Sequence, residues 1–395
     1  MLELKAVESN QTKFSEQGLN NMWTNKCSSA AALRRFDATS VSAFSSSVVT
    51  QPHMPTTTHM LIDPSRLCRK GRNKNLRDSM NFIHGKTQIA VATGGRRHRR
   101  KVRSFCNKEP EMIREAKRGS QIATTECQYQ FKNRHWNCSA LPRSIRRVLS
   151  RDTRETAYVH AITAAGVTFS VTQACSSGQV QDCPCDRTLS GKSTDGSWEW
   201  GGCGDNVFIG YERSKDILDI KIRRRSDIRS LMLLHNNEAG RLAVKNNMRL
   251  VCKCHGLSGS CTLKTCWQKV PSFREIGEML KLKFDGAVQV IPGNDGKSLV
   301  PSKASIKPPE KDDLIYFDES LDFCQYSNKT GSLGTQGREC NATSYGVDGC
   351  ELLCCGRGYR RRRVTERKNC RCKFHWCCEV TCDTCIVTKE IYTCR

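Results

Sequence analysis

Residues 370–385 read CRCKFHWCCEVTCDTC, six cysteines in sixteen positions, and the reading of this stretch decides the fold. In an antiparallel hairpin, cross-strand partners share a nearly constant sum of residue numbers. Cys370 with Cys385, Cys372 with Cys382 and Cys377 with Cys378 meet that condition to within one. They read as rungs of one ladder with the adjacent pair at its tip. Such a tip would display Phe374, His375, Trp376, Glu379 and Val380, and exposed aromatics on a rigid tip suggest a contact surface. The plainer alternative is that Phe374 and Trp376 pack on the hairpin itself.

A second stretch, CKCHGLSGSCTLKTC at 252–266, has the same character. Pairing Cys252 with Cys266 and Cys254 with Cys261 nests the loop His255–Ser260 inside a stapled hairpin. The two sums differ by three, so a bulge is expected. Gly256 and Gly259 flank Ser258 and allow positive φ, which leaves that hydroxyl the most presented one in the chain. A hydrolase reading of Ser258 and His255 fails. The GxSxG elbow would need glycine where Ser260 stands, and it joins a strand to a helix rather than lying between cystines. No third group orients His255.

Composition agrees with staples. The chain has 25 cysteines in 395 residues, twelve of them between Cys324 and Cys394, a density at which a small segment depends on disulfides for stability. Disulfides persist in oxidising compartments, so a secretory route is favoured over a cytosolic one. The rival is zinc, since Cys183/Cys185, Cys252/Cys254 and Cys370/Cys372 are CxC pairs and Cys382/Cys385 is CxxC. The opening MLELKAVESNQTKFSEQG has no basic region leading into an apolar stretch, and we read it as an incomplete or alternative start. No run of about 18 apolar residues occurs.

A net charge of +25 attracts polyanions. The dense runs, Arg96-Arg97-His98-Arg99-Arg100-Lys101 and Arg360–Arg363, lack the interleaved aromatics of a single-strand binder. They read as solvated or heparan-sulfate-attracting surface, with no nucleic-acid partner; processing or nuclear localisation is the weaker alternative for the first.

Along the chain, residues 1–105 are Ser-, Thr-, Asn- and Arg-rich, with Ser40–Thr58 near low complexity, and little order is expected there. From Glu109 a helix places Met112, Ile113, Ala116, Ile122 and Ala123 mostly on one face before Cys127. A stronger one opens at Asp152, with Glu155 as a capping-box partner, and runs to Cys175 with apolar residues on nearly every face. Ser226 is expected to cap a third, carrying Ile228, Leu231, Met232 and Leu234, followed by a polar stretch from Asn236 to Met248. His235 reads as a packed or surface residue. After Asp285 the Pro, Gly and Lys content is that of a linker. The expected class is α+β and disulfide-rich. It comprises a helical domain at 106–284 with hairpin 252–266, a linker at 285–323, and a cystine-rich domain at 324–395 with hairpin 370–385.

Several stretches together resemble the Wnt family of secreted signalling proteins: ECQYQFKNRHWNCS (126–139), ACSSG from Ala174, LHNNEAGR from Leu234, CKCHGLSGSC from Cys252, KFDGA from Lys283, GCELLCCGRGY from Gly349 and CKFHWCC from Cys372. The resemblance implies a secreted, extracellular ligand rather than an enzyme. Ser258 matches the family's acylated serine, so it implies palmitoleoylation by the membrane acyltransferase Porcupine and transport by the carrier Wntless. It also implies docking of this thumb on the cysteine-rich domain of a Frizzled receptor. The second contact would come from a finger formed by Phe374, Trp376, Cys377 and Cys378, with a co-receptor of the LDL-receptor-related type near the linker. No cofactor is implied beyond the covalent acyl group, and no metal.

The same resemblance implies the pairs Cys127–Cys138, Cys175–Cys183, Cys185–Cys203, Cys324–Cys355, Cys340–Cys350 and Cys354–Cys394. Cys68 and Cys106 could form a further pair, which leaves Cys27 alone. Sequons at Asn328 and Asn341, with another at Asn10, add a secretory hint; at Asn137 an adjoining cystine disfavours use. Two rival classes stay open: an intracellular zinc-binding, nucleic-acid-associated protein, and a lipid-independent matrix module.

Overall fold

Proline lacks an amide hydrogen and has a preset φ, so it starts a helix readily, and Pro110 opens α1 (Pro110–Gln130). The computed structural model of the chain describes residues 60–64, 109–181, 183–187, 199–220, 222–223, 227–261, 263–296, 298–376 and 379–395. Met112, Ile113, Ala116 and Ala123 form the buried side of α1, and Ile122 is half-buried. After α2 (Pro142–Val148) comes α3 (Arg154–Ser176), buried along nearly its whole length. A helix apolar on every face must be central, and α3 packs against α1 and against the helices over Val207–Ser214, Ile228–Lys245 and Phe273–Asp285. Gly119 and Gly166 let α1 and α3 touch backbone to backbone, since a Cβ on either would overlap the other's carbonyl.

The expected cap of α3 is displaced. Thr153 holds the N-cap position and makes no side-chain cap bond. The Asp152 carboxylate turns instead to Arg229 (Nε–Oδ1 2.8 Å), while its carbonyl accepts the N–H groups of Phe317 and Asp318. A guanidinium is a stronger partner for a carboxylate than a backbone amide, which accounts for the departure.

Next come β1 (Glu199–Gly201), α4 (Val207–Ser214), which continues into a π turn over Lys215–Asp219, and α5 (Ile228–Lys245). Ser226 lies outside the described residues, and the cap of α5 is Asp227, which accepts the Ser230 N–H. The polar stretch after Leu234 continues the helix and is partly buried. Asn236 donates to the Ile315 carbonyl and accepts its N–H, both at 3.0 Å. Arg241, 1% exposed, pairs with Asp219 at 2.9 Å and with Glu238 at 3.0 Å, and Asn237 donates to Asp219. Arg241 and Asp219 are thus partnered with each other, as charges in a low-dielectric interior must be.

β2 (Arg249–Cys254) and β3 (Lys264–Lys269) form an antiparallel hairpin, with β1 parallel to β3 on the other side. Ser272 caps α6 (Phe273–Asp285) by accepting the Glu275 N–H. The segment expected as a linker carries structure: β4 (Val288–Pro292), β5 (Leu299–Pro301) and β6 (Ile315–Tyr316) form a sheet ordered β5-β4-β6. Leu314 and Ile315 are fully buried, and Phe323 joins Trp136 in the aromatic core around Phe131, Tyr158 and Phe284.

Residues 60–64 belong to the segment in which little order is expected, yet Leu61 is buried in the core beside Ala123. Its N–H meets the Thr124 hydroxyl, and the Ser120 hydroxyl donates to the Ile62 carbonyl. The remainder of 1–105, with the basic run at 96–101, lies outside the described residues.

The tail contains β7 (Tyr326–Ser327), β8 (Ser332–Leu333), β9 (Glu339–Cys340), α7 (Cys350–Leu353), β10 (Tyr359–His375) and β11 (Glu379–Cys394). Helical part and tail belong to one contact unit, Thr57–Arg395. They meet where Ser144 donates to the Gly331 carbonyl and where the Arg338 guanidinium spans the carbonyls of Lys132 and His135 at 2.8 Å. Among the described residues no helix is long and apolar enough to cross a membrane.

Candidate functional site

Among the described residues ten cystines organise the site: 127–138, 175–183, 185–203, 252–266, 254–261, 324–355, 340–350, 354–394, 370–385 and 372–382. These are the partners named above. Cys27, Cys68, Cys106, Cys377 and Cys378 lie outside the described residues. The sulfurs of the CxC and CxxC pairs considered for zinc are therefore engaged in disulfides, and a cystine sulfur is not the thiolate that zinc requires.

At the thumb, Cys252 faces Cys266 and Cys254 faces Lys264 in unbroken register. The expected bulge is absent because Cys261 lies beyond the end of β3 and reaches back to Cys254 from the loop. His255 donates its N–H to the Leu263 carbonyl at 2.6 Å, closing the ladder. Ser258 has φ 56° and ψ 26°, and Gly259 has φ 78°, with the Ser260 N–H bonded to the Leu257 carbonyl. Two successive left-handed residues closed by that bond form a type I′ turn.

The two glycines thus serve different ends. Gly259 supplies positive φ in open space, whereas Gly256 has φ −142°, and a Cβ there would strike the Ser260 hydroxyl and carbonyl. Ser258 itself takes the left-handed conformation. Leu257 beside it is 93% exposed, and Ser258 is exposed. The His255 ring points to Thr265 Oγ1 at 2.9 Å.

The finger ribbon is longer than expected. β10 and β11 pair from Tyr359–Cys394 to His375–Glu379, with a register shift between Cys370 and Lys373. Arg371, at φ 47°, lies within that shift. Cys370 faces Asp383 and bonds diagonally to Cys385, so the rungs are offset rather than directly opposed. The β-branched and aromatic runs Val364–Thr365, Ile386–Thr388 and Ile391–Thr393, free of Gly and Pro, could have revealed the extra length. Phe374 is 59% exposed, Trp376 95% and Val380 56%, so these side chains do not pack away on the ribbon. Arg361 and Arg363 both pair with Glu390. Hydrogen bonds from Tyr392 and then Arg361 hold that carboxyl below the usual range.

Both tail sequons are exposed. Asn328 Oδ1 accepts from Arg147, and Asn341 Oδ1 accepts from the Thr343 hydroxyl at 2.9 Å.

A helical body carrying two cystine-braced hairpins with exposed apolar side chains, Leu257 on one and Phe374 and Trp376 on the other, defines a disulfide-rich α+β protein. Comparison with known proteins makes the class specific. The wnt family model matches residues 96–395. Protein Wnt-6 of Mus musculus and of Homo sapiens are 44% and 45% identical to the chain over 356 residues, 85% of this chain and 91% of theirs. Protein Wnt-2b-A of Xenopus laevis is 46% identical over 300 residues, 75% of this chain and 86% of that one. Among solved structures, that of human WLS in complex with WNT8A matches at 38% identity and a TM-score of 0.55, covering 72% of this chain and 94% of that one. The chain belongs to the Wnt family of secreted developmental signalling ligands.

Proposed function

We propose that this chain is exported as a lipid-modified ligand, with a palmitoleoyl group on Ser258, and that it grips the cysteine-rich domain of a Frizzled receptor between thumb and finger. The observation that carries this reading is Ser258 itself, exposed in a left-handed turn inside nested cystines, next to an almost fully exposed leucine. A hydroxyl so placed is open to an acyltransferase of the Porcupine class. A buried methylene contributes about 0.8 kcal/mol, so a long acyl chain brings on the order of 10 kcal/mol to whatever groove receives it. Such a chain needs a carrier. The WNT8A relative is solved in complex with WLS, and Wntless is the carrier proposed here.

Phe374, Trp376, Cys377 and Cys378 form the second contact. The co-receptor engages the surface near residues 285–323, the Arg360–Arg363 run attracts heparan sulfate, and Asn328 and Asn341 carry glycans. No catalytic step is assigned to the chain.

The test is the intact mass of the 252–266 peptide from acyltransferase-competent cells, beside Ser258→Ala with a signal peptide supplied. An acyl increment that vanishes in the variant, together with lost export and lost receptor binding, is expected. An unmodified wild-type peptide, or a fully active variant, overturns the reading.

A further inference from the structure

His135 lies where the loop after α1 meets the tail, and its ring touches both sulfurs of one cystine. Nε2 is 2.8 Å from the Leu352 carbonyl and 3.5 Å from Cys355 Sγ, and Nδ1 is 3.9 Å from Cys324 Sγ. A carbonyl only accepts, so Nε2 bears the proton it donates to Leu352. The nitrogen left to gain or lose a proton, Nδ1, faces Cys324. The imidazole is exposed and both cysteines are half-buried, so solvent and a small thiol can reach the group.

Exposure alone does not distinguish this cystine. Those of thumb and finger also approach the surface, but their histidines are engaged elsewhere, His255 with Thr265 and His375 with Thr381. Cys370 Sγ has the Asp383 carbonyl as its neighbour at 3.4 Å. In the other two tail cystines, Cys350, Cys354 and Cys394 are all below 5% exposed. The segments that meet at this cystine carry the charged residues Lys132, Arg134, Asp322, Arg338 and Glu351. Arg134 is paired with Asp285, Asp322 accepts the Cys324 N–H, and Arg338 is bound to the Lys132 and His135 carbonyls.

We propose that Cys324–Cys355 is a site of thiol–disulfide exchange with a dithiol reductant, in which His135 protonates the departing sulfur. The reductant's thiolate attacks Cys355 Sγ, the S–S bond breaks and its electron pair passes to Cys324. The imidazolium then gives its Nδ1 proton to that thiolate and regains one from solvent. The reductant's second thiolate attacks its own sulfur in the mixed disulfide and releases Cys355, which takes a proton from water. One cystine becomes two thiols, and one dithiol becomes a disulfide. A nearby proton donor lowers the effective basicity of the leaving thiol, the property that sets the exchange rate. The ribbon stays tied through Cys354–Cys394, so the product is an opened tail rather than an unfolded chain. The assignment does not depend on which receptor the ligand meets.

The experiment treats the secreted full chain with dithiothreitol for graded times at pH 6.5, traps thiols with iodoacetamide and maps them by peptide mass. Cys324 and Cys355 are expected to be alkylated together, about tenfold faster than any other pair. His135→Gln retains an N–H for the Leu352 carbonyl but sets no second ring nitrogen against Cys324. It should slow opening of this pair about tenfold and leave the rates of the other cystines unchanged. Should the variant not fold, the order of opening in the wild-type chain decides alone. Another cystine opening first overturns the proposal, as does a variant in which Cys324–Cys355 opens at the wild-type rate.

Discussion

Thumb and finger are both hairpins closed by cystines, but they are held in different ways. The thumb is short, its inner strand β3 lies between two neighbours, and Cys266 at its base is 4% exposed. The finger runs 17 residues out and 16 back, exposed along most of its length, and among the described residues only β9 pairs with it, at Tyr392 and Thr393. An isolated two-stranded ribbon is marginal in water. The finger therefore relies on its cystines and on cross-strand pairs such as Arg361–Glu390, whereas the thumb's base is part of the body. Presentation of a tip can thus be secured either by rooting a hairpin in a core or by stapling it along its length.

Removing one staple from each hairpin tests this difference with the largest expected effect. Cys252→Ser/Cys266→Ser opens a rung that reaches the core and should lower the stability of the whole chain by about 2–4 kcal/mol, seen calorimetrically as a lower Tm. Cys370→Ser/Cys385→Ser should scarcely move that Tm. Amide protection along 359–394 should instead fall, together with receptor affinity. Equal Tm losses in the two variants would remove the distinction.

A subtler pair lies within the thumb tip. Gly256→Ala forces a methyl into the Ser260 hydroxyl and carbonyl, so the turn must open. Gly259→Ala has space but imposes φ near +78° on a residue with a Cβ, at a cost of roughly 1–2 kcal/mol. Both should spare the Tm of the body. Acyl occupancy of Ser258, read from intact mass, should fall further in Gly256→Ala. The reverse order would mean that left-handed backbone, not the close approach at Gly256, governs presentation.

The parts of the molecule legible in sequence were those governed by local periodicity. Apolar spacing marks α1 and α3, and the nested cysteines mark the Ser258 loop. The α3 cap was missed because its competitor, Arg229, is distant in sequence and invisible to a local pattern. Leu314 and Ile315 were hidden in Pro-, Gly- and Lys-rich surroundings, since composition averages over the two residues that pack. The polar stretch from Asn236 gives no sign of its burial, because a buried polar side chain is recognisable only once its partners, Ile315 for Asn236 and Asp219 for Arg241, are in place. At the tips, residue identity was readable but conformation was not. That Ser258 rather than Gly256 would be left-handed follows from the contact of Gly256 with Ser260, and the offset of Cys370 from Cys385 follows from the shift around Arg371.

Acidity should separate body from hairpins with the smallest effect. Burial raises the Asp152 carboxyl to about 6 despite Arg229, and burial, then the charge of Arg229, lowers His160 to about 4. Folded Asp152 keeps its proton up to about pH 6 and an unfolded carboxyl only to about 4, so this group makes stability fall as pH rises across that interval. His160 acts oppositely. The unfolded imidazole binds a proton below about 6.5 and the folded one only below about 4, so stability falls as pH drops between them. The two slopes nearly cancel from about pH 4 to 6, and either substitution should expose the other. Asp152→Asn should lose stability on acidification and His160→Gln should gain it, each by less than roughly 1 kcal/mol per pH unit after solvent screening, read from urea midpoints. Exchange rates of the thumb and finger amides, corrected for intrinsic pH dependence, should not change across the same range. The shifted groups of the finger, Arg361, Glu390 and Tyr392, lie at its surface. A midpoint flat with pH in both variants would mean that neither group carries the linkage, and hairpin amides that follow the midpoint would mean that the ribbon is rooted in the body after all.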